Sequence, residues 1–373
     1  MNQKNKQPLS SRISKIILSI GPGIFCIGYT IGTGSVTSMT KAGSLYGMQL
    51  LWVLVLSVLF SWVLMEAFGR FAAVTGFTSI YGFRKFLKWG RPWAILVIAG
   101  VVLGQWSSLS GILGLTSSAT YEILRLFIPS LAGYEYSAVI AVAAILIFLL
   151  YSLLLVGKYS FFEKILIVFV SIMGVSFLIS MFIVFPDPSE IAAGLIPSIP
   201  SGGYLMVAAF VGTTGALFHE GRSVTQVLDM VYALEPVAGK FAVALFMVGA
   251  MSAGISSIFP ILMVLPLLIG DYQKGEMDIS SPTFRMLTGL ACLVGMTVPL
   301  LGANPIAAQV ATQVANVFVL PLVIAGIIIL TNRKDLLGEH AAGWLLNAGL
   351  VSALVFSIAV SYAGIAGVLN LLS

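Results

Sequence analysis

Apolar residues run along this chain in long, nearly uncharged blocks separated by short polar stretches. At about 20 residues per helical crossing of a bilayer, the blocks predict ten membrane spans, over residues 16–43, 49–71, 93–118, 137–156, 165–185, 203–218, 241–269, 284–300, 305–330 and 342–371. A membrane barrel would need segments of roughly 10 residues in strict alternation, and these are absent. The pattern predicts an all-α bundle in which most connections are short and polar, such as Arg84 to Arg91 and Lys158 to Lys164. The stretch from Pro186 to Pro200 reads as an ordered external loop, because Pro186, Pro188, Pro197 and Pro200 restrict it and Asp187 and Glu190 make it polar.

Composition agrees with the pattern. Only 9% of the 373 residues are charged, against about 25% in soluble domains, and 59% are apolar. A soluble globule is excluded, since its surface would lack polar groups. The formal charge of +5 falls in loops, where it sets orientation across the membrane and does not point to nucleic acid. Cys26 and Cys292 lie in apolar runs with no Cys/His cluster, so neither a disulfide framework nor a zinc site is indicated, and no cofactor is expected. Two histidines and no Ser/His/Asp grouping, phosphate loop or His-Glu-x-x-His motif argue against an enzyme. The basic amino terminus leads into a glycine-interrupted run without an Ala-x-Ala site, so it reads as a first span and not a signal peptide.

Two spans are broken. The first carries Gly21-Pro22-Gly23 near its start and Gly32-Thr33-Gly34-Ser35 at mid-depth, and the sixth carries Gly212-Thr213-Thr214-Gly215. Glycine weakens a helix by about 1 kcal/mol relative to alanine, and unwound backbone survives inside a bilayer only where protein or a water-filled cavity surrounds it. Glycine in membrane helices also serves close packing, but two breaks five spans apart, each with adjacent hydroxyls, match two inverted repeats whose opening helices are discontinuous around a central site.

These residues resemble the NRAMP family, the proton-coupled divalent-metal transporters with a LeuT-like fold. The resemblance is carried by Gly21-Pro22-Gly23, Gly28-Tyr29, Ala42-Gly43-Ser44, Leu51-Trp52-Val53, Arg70 and Thr75-Gly76. Farther along, Gly157-Lys158-Tyr159, Glu163-Lys164-Ile165, Leu195-Ile196-Pro197, Ala253-Gly254-Ile255-Ser256-Ser257, Thr312-Gln313-Val314 and Leu320-Pro321 follow in the family's order. The resemblance implies one transporter domain over 1–373, with a first repeat at about 16–185, a second at about 203–330 and an additional helix at about 342–371. It also implies a multi-pass protein of the plasma membrane with a cytoplasmic amino terminus.

The family's metal site is not matched. Where the family's first break reads Asp-Pro-Gly-Asn, this chain has Gly32 in the aspartate position and Ser35 in the asparagine position. In the sixth span the alanine position falls on Thr213 or Thr214 and the methionine position on Ala216 or Leu217. Without the carboxylate the largest attraction for a dehydrated divalent ion is gone, and without the thioether so is the preference for soft transition metals. The candidate binding set is Gly32, Thr33, Ser35, Thr213, Thr214, Ala216 and Gln313, with Ser35 and Thr213 as candidate metal contacts. Hydroxyls and carbonyls of this kind suit a largely hydrated cation or a polar organic solute. Glu66, His219 and Glu220 are candidates for moving protons, although Glu66 and Arg70 are spaced for an i,i+4 pair and His219 is flanked by charges that suit a solvated helix end. Gln105, Trp106 and the serines to Ser110 give the third span a polar face, and Lys41 is placed to snorkel.

A crossing is missing. After Arg222 the chain passes Asp229, Glu235 and Lys240 directly into the span resembling the family's eighth, leaving no room for a seventh. Ten crossings from a cytoplasmic amino terminus would place Lys274, Arg333 and Lys334 outside, whereas one more would return them to the cytoplasm. Loss of the seventh span, a re-entrant sixth or an incomplete chain each account for this. The expectation is a secondary transporter that moves a cation, a divalent metal included, by alternating access, with protons and the lipid bilayer as its other partners. Alternatives are a polar organic solute or monovalent ion as cargo, or a degenerate relative that transports nothing.

Overall fold

A computed structural model describes residues 33–155, 159–183, 185–201, 203–211, 235–273 and 280–372. All regular structure among them is helical: α1 (Thr33–Tyr46), α2 (Leu51–Thr75), α3 (Ser79–Phe86), α4 (Gly90–Phe127), α5 (Glu135–Leu155), α6 (Tyr159–Ile183), α7 (Pro188–Gly194), α8 (Tyr204–Val211), α9 (Glu235–Gln273), α10 (Pro282–Gly295), α11 (Thr297–Leu301), α12 (Pro305–Val317), α13 (Leu320–Thr331), α14 (Lys334–Leu337) and α15 (Trp344–Leu372). In hydrocarbon every backbone N–H and C=O must be satisfied within the segment, which leaves helices as the solution for runs this apolar. Among the described residues, six helical stretches are long and apolar enough to cross a membrane, and all overlap spans expected from the hydropathy pattern.

Local chemistry sets the helix ends. Gly76 closes α2 at φ 69°, in the left-handed region open to glycine, and its N–H donates to the Ala72 carbonyl. The Thr78 side chain accepts from the Tyr81 N–H at the start of α3. Ser281 does the same for Phe284 ahead of α10, with Pro282 in the first helical turn, where a missing N–H costs nothing.

The span expected over 305–330 is interrupted. Helix α12 stops at Val317 and α13 begins at Leu320. Pro321 is the cause: it has no N–H to offer the Val317 carbonyl four residues back, and its ring crowds that carbonyl. The freed oxygen faces α15, whose Ser361 hydroxyl shares its one proton between Val317 O at 3.2 Å and Ser357 O of its own helix at 2.8 Å. Helix α9, by contrast, runs 39 residues through Pro260 and Pro266. Helix α4 extends beyond its expected 93–118 to 38 residues, about 57 Å at 1.5 Å per residue, well past the ~30 Å hydrocarbon layer.

Helices α4 and α9 form the centre of the bundle and pack most extensively on each other, with α6 against α9 and α12 against α4. Leu109, Ile112 and Leu113 of α4 meet Ile258, Phe259 and Leu262 of α9 in one apolar core. A second core joins Met39 of α1, Val53 of α2, Met206 and Val207 of α8, Val310 and Val314 of α12 and Val360 of α15. A third gathers Phe71, Phe83, Val97, Ile327 and Leu330. Large apolar side chains such as Trp62, Leu103, Phe148, Phe182 and Tyr362 face outward, as lipid contact requires.

Candidate functional site

The second core brings together the described residues that adjoin the two breaks expected from sequence. Helix α1 is described from Thr33, within Gly32-Thr33-Gly34-Ser35, and α8 is described as far as Val211, next to Gly212-Thr213-Thr214-Gly215. The two helices pack on each other, and both pack on α12.

On α12, Gln309, Gln313 and Asn316 follow at i, i+4 and i+7, which places them on one helical face. Gln309 is 0% exposed and Gln313 6%. The Gln309 Nε2 donates to Ser108 Oγ of α4 at 2.8 Å, Gln313 Nε2 reaches the same oxygen at 3.5 Å, and Asn316 Nδ2 donates to Gln313 Oε1 at 3.4 Å. Both glutamine amides also close on α1. A methyl group at Gly34 would collide with the amide nitrogens of Gln313 and Gln309. Glycines on α4 allow the same approach from the opposite side, with Asn316 Oδ1 against Gly104 and Gln309 Oε1 against Gly111. That Gln309 oxygen is buried and has no hydrogen-bond partner among the described residues.

The result is a carboxamide–hydroxyl layer shared by α1, α4 and α12, carrying no formal charge. Neighbouring hydroxyls of α4 are satisfied within their own helix: Ser110 donates to Ser107 O, Thr116 to Ile112 O and Ser117 to Leu113 O. Ser108 instead receives amides from another helix. No group of three or more His, Cys, Asp or Glu side chains able to hold a metal occurs among the described residues.

Of the residues expected from sequence, Gln313 lies in this layer. Thr33 and Ser35 sit in the first turn of α1, beside Gly34. Gly32, Thr213, Thr214, Ala216, His219 and Glu220 fall outside the described residues, as do Cys26, Arg222 and Asp229. Glu66 is elsewhere, on the exposed side of α2, in an ion pair with Arg70 at 2.6 Å. Gln309 and Asn316 were not among the expected residues, although their spacing from Gln313 marks one polar face on an otherwise apolar helix.

The model of the Nramp family, natural resistance-associated macrophage protein-like, matches residues 23–216 and 213–367. The chain belongs to the Nramp family. It is 22% identical to the divalent metal cation transporter MntH of Deinococcus radiodurans, with 91% of this chain and 89% of the relative covered. The MntH of Verminephrobacter eiseniae is also 22% identical, over 88% of this chain and 84% of the relative. Among solved structures, the Eremococcus coleocola manganese transporter in complex with an aromatic bis-isothiourea substituted compound superposes with a TM-score of 0.64 at 14% identity, covering 97% of this chain and 90% of that one. A mutant of the same transporter gives 0.63 at 15% identity, over 97% and 88%. The shared fold is the LeuT-like helix bundle of Nramp transporters. The protein is thus a multi-pass membrane transporter by family, and not an enzyme. The two segments matched to the Nramp model meet at 213–216, within Gly212-Thr213-Thr214-Gly215 and the residue after it.

Proposed function

We propose that this Nramp chain moves a cation across the membrane by alternating access, and that a divalent metal ion keeping much of its hydration is the cargo. The observation that carries the reading is the uncharged layer of Gln309, Gln313 and Ser108 closing on Gly34 at the start of α1. Relatives that are named divalent metal cation transporters support a cation as cargo. Neutral amide and hydroxyl oxygens can bind a hard cation or the waters it carries, but they supply neither the charge to dehydrate it fully nor the sulfur that selects manganese or iron. Gly32, Thr33, Ser35, Thr213, Thr214 and Ala216 complete the proposed site across the two breaks, with Ser35 and Thr213 as direct metal contacts. His219 and Glu220 are the proposed route for coupled protons, whereas Glu66 is held by Arg70 on the exposed side of α2 and takes no part in it. The protein acts in the plasma membrane with its amino terminus in the cytoplasm.

Uptake of magnesium, manganese and calcium into proteoliposomes, with and without a proton gradient, tests this. Saturable flux with little preference for manganese over magnesium is expected, and no saturable flux of any of the three would overturn it. A second reading is a polar organic solute or a monovalent ion, and the amide N–H groups that face Gly34 favour the solute, since they donate hydrogen bonds to its acceptors. A thermal-shift screen of metals against amino acids and related solutes separates the two.

A further inference from the structure

Resting on the transport reading above, we propose that Gln309 is a second cargo-selecting residue, whose carboxamide turns to place a neutral oxygen beside Gly34. It lies one helical turn before Gln313 and faces the same two helices, α1 and α4.

Its surroundings do not suit a packing residue. The side chain is fully buried, its Nε2 is held by Ser108, and its Oε1 rests 2.6 Å from the point where a Cβ of Gly111 would lie, without a hydrogen-bond partner among the described residues. A buried carbonyl oxygen left in that condition is a standing cost that leucine or methionine would avoid. The terminal torsion of glutamine is broad and roughly two-fold, so a half-turn exchanges oxygen and nitrogen within the same volume. Ser108 follows either arrangement, because a hydroxyl accepts from an amide N–H or donates to an amide oxygen equally well. One hydrogen bond is thereby exchanged for another while Oε1 moves from the Gly111 side to the Gly34 side and the amide N–H groups take its place beside Gly111. Gln313 is restrained differently, by Asn316 at its own oxygen. The layer therefore offers one amide tied through its oxygen and one whose oxygen is free to turn, both beside the first break.

The selectivity follows from charge. A neutral carbonyl at position 309 favours hard cations without binding any of them tightly, whereas glutamate there would have almost the same shape and would add the carboxylate absent from the first break. The experiment is uptake of magnesium and manganese by the reconstituted full-length chain carrying Gln309→Met or Gln309→Glu. Gln309→Met is expected to raise the KM for the transported cation about fivefold or more, the order of one neutral ligand. Gln309→Glu is expected to shift the manganese-to-magnesium ratio of kcat/KM by about tenfold, and to make that ratio depend on pH as the new carboxyl titrates. Wild-type KM and ratio in both variants would overturn the proposal while leaving the transport reading intact. Absence of saturable flux in the wild-type protein would remove both. If Gln309→Met does not yield a monodisperse protein, Gln309→Asn, which keeps the amide but withdraws it by one methylene, is judged by the same two quantities.

Discussion

Replacing Gly34 by alanine sets two opposing effects against each other in one residue. Alanine is the better helix former by up to about 1 kcal/mol, and Gly34 lies in α1, where that gain is available. Against it stands the closeness of α12. The new methyl would collide with the amide nitrogens of both Gln309 and Gln313 and lie 3.2 Å from the Gln313 Cδ. These are ends of flexible side chains, so they can retreat, but retreat breaks the 2.8 Å bond from Gln309 to Ser108 and withdraws Gln313 from the same oxygen. One neutral hydrogen bond contributes about 0.5–1.5 kcal/mol, and a buried amide left without partners costs about 1–3 kcal/mol. The loss exceeds the gain, and Gly34→Ala is expected to destabilise the protein by about 1–3 kcal/mol and to raise the KM of the transported cation. Gly69→Ala is the matched control. Gly69 lies inside α2, is exposed, and has nothing within 4 Å of its missing Cβ. There the propensity term acts alone, so stability is unchanged or rises by up to about 1 kcal/mol. Both variants are read by thermal unfolding in detergent and by uptake in proteoliposomes. A Gly34→Ala protein that melts no lower than Gly69→Ala and transports with wild-type KM would show that the amides are not held against the start of α1.

Arg84 donates to the Tyr272 and Gln273 carbonyls at the end of α9, and its guanidinium lies 4.6 Å from the Tyr272 ring centre. Arg84→Ala should therefore lower stability by about 1–3 kcal/mol in thermal unfolding, with Arg84→Lys recovering part of it. Ser361→Ala removes the proton that the Val317 carbonyl, already deprived by Pro321, shares with the Ser357 carbonyl; a loss of about 0.5–1.5 kcal/mol and faster amide exchange around residues 317–321 are expected. Hydrogen bonds from Arg333, at 3.1 and 2.5 Å, hold the Asp335 carboxyl below the usual carboxylate range. Because the folded-state value is depressed, the contribution is present above the unfolded value and is lost as pH falls through the folded one, so Asp335→Asn should flatten the acid limb of melting temperature against pH. The Arg333 link to the Phe86 carbonyl at 2.6 Å carries no titrating acceptor and should survive.

Much of the architecture was legible in the order of residues. A run such as Glu135–Leu155 or Leu51–Thr75 is too apolar and too long for any element other than a membrane helix, so its type and approximate ends follow from composition. The interruption at 318–319 was written in the chain as Pro321, yet the run from 305 to 330 carries no charge, and hydropathy passes over a single proline. The length of α4 was understated for a related reason. Its ends, at Gly90 and Phe127, carry Arg91, Glu122 and Arg125, which read as loop although they continue a helix beyond the membrane.

The sequence by itself determined that the protein lives in lipid, and that neither Gly32-Thr33-Gly34-Ser35 nor Gly212-Thr213-Thr214-Gly215 carries a carboxylate or a thioether. Each is a statement about residue type or local backbone, which neighbours in the chain suffice to set. Only the tertiary structure decided which polar groups meet. Ser108 and Gln309 lie 201 residues apart, and nothing local distinguishes Ser108 from Ser107 or Ser110 until α12 is packed against α4. The reason is steric: the amides can reach Ser108 and the start of α1 because Gly34, Gly104 and Gly111 present no side chain at three points on two other helices.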